Sequence, residues 1–182
     1  MQRVNLVNKS HIDAAKADEY ATSEDFRKLF TEDMTGLYLL SLLLTANHEK
    51  AEQCFVAGVE DSVKGNPVFK EWARSWAKRM MVENAIRIIA PRPNNASPTA
   101  LAVPLELNCA HQTVPDRDAV IASVLQLAVF ERFVFVMSVL ERYRDQDCSV
   151  LLGCSLQEIG DARTRALQQI AQSHGDTQPV KH

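Results

Sequence analysis

The sequence predicts an all-α fold made of two small helical domains, the second a helix-turn-helix. Three observations carry this expectation. Apolar residues recur three or four positions apart over long stretches, as the core-facing side of a helix requires. No stretch shows the period-two alternation of a half-buried strand. A proline-rich segment holding Pro91, Pro93, Pro98, Pro104 and Pro115 parts the helical stretches into two groups, as a linker does.

Residues 1–22 have no clear period and read as an N-terminal arm. Thr22 with Asp25 suits a capping box in front of the first helix. From Ser23 the apolar positions Phe26, Phe30, Met34, Leu37, Leu40 and Leu44 predict one helical run. Asn47 opens a second helix with Ala51, Cys54, Phe55, Gly58 and Val59 on its apolar face. Gly65-Asn66-Pro67 ends it, because proline cannot continue a helix. A third helix follows from about Val68 to Ile89 and completes a domain over 23–90.

The linker spans 91–115 and includes an apolar piece, Leu101 to Leu107, suited to docking on a domain. A fourth helix starts near Asp116, with its acid in the first turn, where the helix dipole favours negative charge. An apolar helical run then covers Ala128 to Tyr143, a short helix Asp145 to Leu152, and a last helix Leu156 to about Gln172. Gly153 between the last two, with Ser155 as the cap, predicts a tight turn. These helices form the second domain, over 116–172, and residues 173–182 read as a disordered tail.

Composition narrows the function. With 182 residues, 46% hydrophobic and 24% charged, the chain has the makeup of an ordinary globular protein. No apolar run approaches a membrane span, and the N-terminus lacks a signal-peptide core, so no membrane partner and a cytoplasmic location are expected. Cys54, Cys109, Cys148 and Cys154 form no C-x-x-C pair and read as free, mostly buried thiols. His11, His48, His111, His174 and His182 are scattered, with no H-E-x-x-H spacing. No Gly-rich phosphate loop or G-x-S-x-G occurs. Glu141 and Asp145, one turn apart, suit a solvated helix end with Arg142 and Arg144 as neighbours, not an acid/base dyad. No catalytic residue, metal site or cofactor is expected.

One stretch organises the rest: ERFVFVMSVLERYRDQDCSVLLGCSLQEI, residues 131–159. It carries Glu131-Arg132, Val134-Phe135, Leu140-Glu141, Leu152-Gly153-Cys154-Ser155 and Ile159, with Arg165-Ala166 beyond it. This resembles the promoter-reading C-terminal domain of bacterial RNA polymerase sigma factors, especially the small extracytoplasmic-function type. Leu42 to Thr45, Ala51-Glu52-Gln53, Phe69 with Trp72, and Glu83 with Arg87 resemble the other sigma domain, which grips polymerase and opens the promoter. The resemblance covers about residues 24–172.

The resemblance implies DNA and core RNA polymerase as partners, with an anti-sigma protein as a third. Among the DNA-binding residues, Gln157, Arg163 and Arg165 then fall to the groove and Ser155 offers its hydroxyl or amide to a phosphate, while Glu52, Gln53 and Glu60 fall to the polymerase. Lys70, Arg74 and Lys78 recur every fourth residue and, with Arg79, suit the phosphate backbone. From Phe69 to Arg92 six Lys/Arg stand against Glu71 and Glu83, a local net of +4. Trp72 and Trp76 lie on another side of that helix and are expected in the core.

The chain departs from the family at two places. Gly160, Asp161 and Ala162 follow Ile159 where the family carries basic residues. Val56 and Ala57 stand where it has a glutamine and an acidic residue. A second expectation follows: a divergent sigma-fold protein that has lost promoter reading and regulates through protein–protein contact.

Overall fold

The computed structural model describes residues 19–93 and 115–175. The arm up to residue 18, the linker over 94–114 with its apolar piece, Cys109 and the last seven residues lie outside them. The described residues are all-α, apart from one isolated bridge between Tyr20 and Phe69.

Thr22 caps α1 (Ser23–Glu32) through the expected reciprocal box with Asp25. The run predicted as one helix is two. Asp33, at φ −117° and ψ 21°, ends α1 and starts α2 (Met34–Thr45). Met34 consequently turns outward and is exposed, while Leu37, Leu40 and Leu44 are buried. Asn47 caps α3 (His48–Lys64), which buries Ala51, Cys54 and Gly58 as the spacing predicts. Gly58 lets α3 close on the next helix, since a Cβ there would stand 2.4 Å from Met81 Sδ. A 3₁₀ turn over Lys70–Trp72 leads into α4 (Ala73–Ile89), so the third helix begins later than the sequence suggests. Residues before that turn pair with the arm instead: Ala21 N–H donates to Val68 O (2.7 Å) and Lys70 N–H to Glu19 O (2.9 Å).

The second half begins with α5 (Pro115–Gln126), proline standing at the first helical position where its missing N–H costs nothing. The predicted run from Ala128 is α6 (Val129–Phe135), continued by a π turn over Val136–Leu140. Arg142, left-handed at φ 59°, ends that turn. Then come α7 (Asp145–Leu152), with the expected bounds, and α8 (Leu156–Gly175). Residues 173–175, expected in the tail, belong to α8, and the rest of that expected tail lies outside the described residues.

The two halves meet through α2. It packs on α3 and α4 and also touches α5, α6 and the π turn. Buried side chains from both halves, Leu37, Leu44, Met81, Phe133, Met137 and Ile159 among them, form one apolar cluster. Each such side chain contributes about 1.5–3 kcal/mol on leaving water.

Arg132 is the exception inside this cluster, a cation only 4% exposed. Among the described residues it faces no carboxylate. Its Nε donates to Leu44 O (3.3 Å), and its Nη1 to Leu127 O (3.1 Å) and more weakly to Leu125 O (3.5 Å). Leu44 is in the last turn of α2; Leu125 and Leu127 lie at the end of α5. These carbonyls have no intrahelical donor and carry the negative pole of the helix dipole. Burial pulls the guanidinium down to about 10, which leaves it charged at neutral pH.

Arg132→Met strands those carbonyls, and the expected loss is about 2–4 kcal/mol in urea unfolding, with Arg132→Lys recovering only part of it. A change within the error of the Arg27→Ala variant, which breaks only the exposed pair with Glu24, would show that Arg132 holds nothing.

Candidate nucleic-acid interface

α7, Gly153 and α8 form a short helix, a tight turn and a long helix, at the place where the sequence predicts the helix-turn-helix. Gly153 ends α7 in the left-handed region (φ 64°, ψ 42°), where glycine has no Cβ penalty. Its N–H and that of Cys154 close the helix end on Ser149 O. Ser155 then caps α8. Its Oγ accepts from Glu158 N–H (3.2 Å), while Glu158 Oε2 accepts from Ser155 N–H (2.8 Å) and Oγ–H (2.8 Å). This is a capping box, and it occupies the hydroxyl that the resemblance assigns to a phosphate. Those bonds, the backbone one first, hold the Glu158 carboxyl below its ordinary value of 4.5.

Cys148 and Leu152 of α7, with Ile159, Ala162 and Ala166 of α8, are buried, so α8 lies down on the second half along one face. Its outer face holds Gln157, Asp161, Thr164, Arg165 and Gln168, all exposed. That face is close to neutral in charge. Val150 and Leu156 are exposed on either side of the turn.

The six cations expected to meet DNA each have a carboxylate partner. Arg163 makes a two-pronged pair with Asp145, through Nη1 to Oδ1 and through Nη2 to Oδ2 at 3.1 Å. Arg165 Nε meets Glu131 Oε1 at 2.6 Å. Lys78 meets Glu141 at 2.7 Å, Arg74 meets Asp33 at 2.9 Å, Arg79 meets Glu83 at 2.8 Å, and Lys70 stands 4.0 Å from Asp25. Gln157 is exposed and is the assigned groove residue with no ion pair to release. The basic stripe is therefore real as a row of positions and largely neutralised as a field.

Glu141 and Asp145 are not a solvated helix end, as the spacing suggested; each holds a cation from another helix. Of that pattern, Arg144 bonds Asp147 instead. Trp72 also departs from expectation. It is 55% exposed, edge-on to Phe69 at 5.2 Å, and Phe69 stacks on Tyr20 at 4.7 Å. The 3₁₀ turn rotates Trp72 out of the α4 register, whereas Trp76 packs against the core with its Nε1–H unpartnered. Cys54 and Cys148 are buried and Cys154 is half-buried, all three free thiols.

The positions assigned to polymerase, Glu52, Gln53 and Glu60, are exposed on α3 around Val56, which is also exposed. Glu60 pairs with Lys64 (2.9 Å) and Gln53 approaches Glu49 (3.5 Å). Sequence reasoning missed Asp25, Asp33, Glu131, Glu141 and Asp145 as partners of these cations. They lie from 18 to 63 positions from their cations, beyond any spacing rule. Only Arg79–Glu83, at i,i+4, had a local signal.

The chain matches no protein-family model and no curated protein. No described helix is long and apolar enough to cross a membrane.

Two measurements follow. A Cβ on Gly160 would meet nothing within 4 Å, so Gly160→Ala is expected to stabilise the protein by about 1 kcal/mol in thermal unfolding. Loss of stability would mean that the α8 backbone needs glycine there. Glu158, with its lowered carboxyl, stabilises the cap fully above its ordinary value, and this is lost as pH falls through the lower folded value. Amide exchange at the start of α8 should therefore rise on acidification in the native protein and be flat with pH in Glu158→Gln.

Proposed function

We propose that this chain is a sigma-like factor of transcription initiation in the cytoplasm, binding core RNA polymerase and reading promoter DNA through α7 and α8. The observation that carries the reading is the α7–Gly153–α8 arrangement. An eight-residue helix, a left-handed glycine and a capped twenty-residue helix present one face outward on a rigid base. A helix-turn-helix enters a major groove with a short helix, a tight turn and a second helix, which is what supports the reading. The resemblance over residues 24–172 supports it, as does the row of cations on the first half. In this reading Gln157, Arg163 and Arg165 meet base edges or phosphate. Lys70, Arg74, Lys78 and Arg79 meet backbone phosphate, Glu52, Gln53 and Glu60 meet polymerase, and an anti-sigma protein is a further partner.

The second reading is a divergent sigma-fold protein that regulates by protein contact. It is favoured by the pairing of the expected DNA cations with internal carboxylates, and by exposed Val56, Val150 and Leu156 where polar contacts would serve DNA or polymerase.

Salt separates the two. In the first reading, affinity for duplex DNA falls steeply as salt rises, because each phosphate contact contributes about 0.9 to the log–log slope. Arg163→Ala with Arg165→Ala should weaken binding by about 10- to 100-fold at low salt. Unchanged affinity in that variant removes the groove assignment. Recovery of core polymerase with the wild-type protein supports the first reading; a folded protein that recovers neither DNA nor polymerase leaves the second.

A further inference from the structure

The six cation–carboxylate pairs are not equivalent. Arg79–Glu83 lies within one helix. Arg74–Asp33 and Lys70–Asp25 lie within the first half, and Arg163–Asp145 and Arg165–Glu131 lie within the second. Lys78–Glu141 alone among them joins the halves. Its donor is on α4 and its acceptor follows the π turn, 63 positions away. It is also the most enclosed, with side chains 34% and 16% exposed.

Glu141 is held in place by its backbone. Its N–H donates to Val136 O (2.9 Å), Arg142 adopts the left-handed conformation, and Tyr143 N–H donates to Met137 O (2.9 Å). Met137 and Val136 are themselves fully buried in the shared core. The carboxylate is thus aimed at Lys78 by a closed backbone turn anchored in the second half. An exposed ion pair is worth about 0–1 kcal/mol and exchanges readily with solvent or phosphate. An enclosed pair on two anchored elements exchanges only when the elements part or the carboxylate turns away. A carboxylate oxygen 2.7 Å from Nζ also occupies the place a phosphate oxygen would take.

We propose that Glu141 is a built-in competitor for nucleic-acid phosphate at Lys78, so that packing of the two halves masks the centre of the basic stripe. The inference rests on the DNA-binding reading. It adds that binding is restrained by the chain itself and is raised by whatever draws the halves apart. Lys78 has Arg74 one turn before it and Arg79 next to it on α4, so its release adds an unpaired cation to that row while Arg74 and Arg79 keep Asp33 and Glu83.

The test uses the full chain and a fluorescent mixed-sequence duplex, titrated at two salt concentrations, about 50 and 200 mM. Glu141→Gln keeps the size and an acceptor oxygen while removing the charge. It should bind about fivefold more tightly at the lower salt, with a log–log slope steeper by about one phosphate contact. Glu49→Gln removes the same charge from an exposed α3 site whose contact is Gln53, and should bind as wild type does. Lys78→Ala combined with Glu141→Gln should lose the gain. Wild-type affinity in Glu141→Gln, or an equal gain in Glu49→Gln or in the double variant, overturns the masking role and leaves DNA binding standing. No binding by any of these folded proteins at the lower salt overturns the DNA-binding reading itself. Circular dichroism establishes folding; if Glu141→Gln unfolds, Glu141→Asp withdraws the carboxylate by one methylene and is read the same way.

Discussion

The guanidinium of Arg132 sits where the ends of two helices converge, and the packing of the two halves depends on how it is satisfied. A buried cation is costly in an apolar core unless strong acceptors surround it. Here the acceptors are carbonyl groups at the ends of α2 and α5, already negative from the aligned peptide dipoles and without donors of their own. The residue therefore meets two needs at once. It satisfies helix ends that would otherwise be buried and unpaired, and it joins α2 of the first half to α5 and α6 of the second. No carboxylate among the described residues shares this task, so the site has no second charge whose desolvation must be offset.

Electrostatics on the surface follows a different rule. The six cations expected to face DNA are matched by carboxylates, several of them from another helix. Net charge is −3, so a long-range pull on nucleic acid is weak, and DNA contact at those six cations has to be made by exchanging one anion for another. Exposed pairs such as Arg79–Glu83 present little obstacle to that exchange. Enclosed pairs that bridge separate elements, Lys78–Glu141 above all, couple the exchange to the packing of the halves. The same contacts that make the molecule compact thereby make its basic stripe conditional.

What could be read locally was read correctly. The capping box at Thr22, the caps at Asn47 and Ser155, the break at Gly65-Asn66-Pro67 and the turn at Gly153 all act within a few residues, and the structure has each of them. The misreadings arise where two local signals compete. At Asp33 a continuous apolar period hides a break, because Met34 fits the helical spacing yet turns outward when the backbone leaves the α region. At Trp72 the periodicity of α4 was extended one turn too far, into a 3₁₀ segment with a different angular register. The π turn after Phe135 had no signal in the residue types, since it is made by one inserted hydrogen-bond step within an unbroken apolar run.

The sequence by itself determined the all-α class, the bounds of α7 and the tight turn at Gly153. Those are properties of residue type and short spacing, and short-range hydrogen bonds suffice to express them. Only the tertiary structure decided what the charges do. Arg132, one more arginine in a helical run by sequence, became a buried tie between helix ends. Glu131, Glu141 and Asp145 became partners of cations 34, 63 and 18 positions away. The physical reason is that ion pairing follows distance in space, and chain separation carries no information about that distance until the helices have packed.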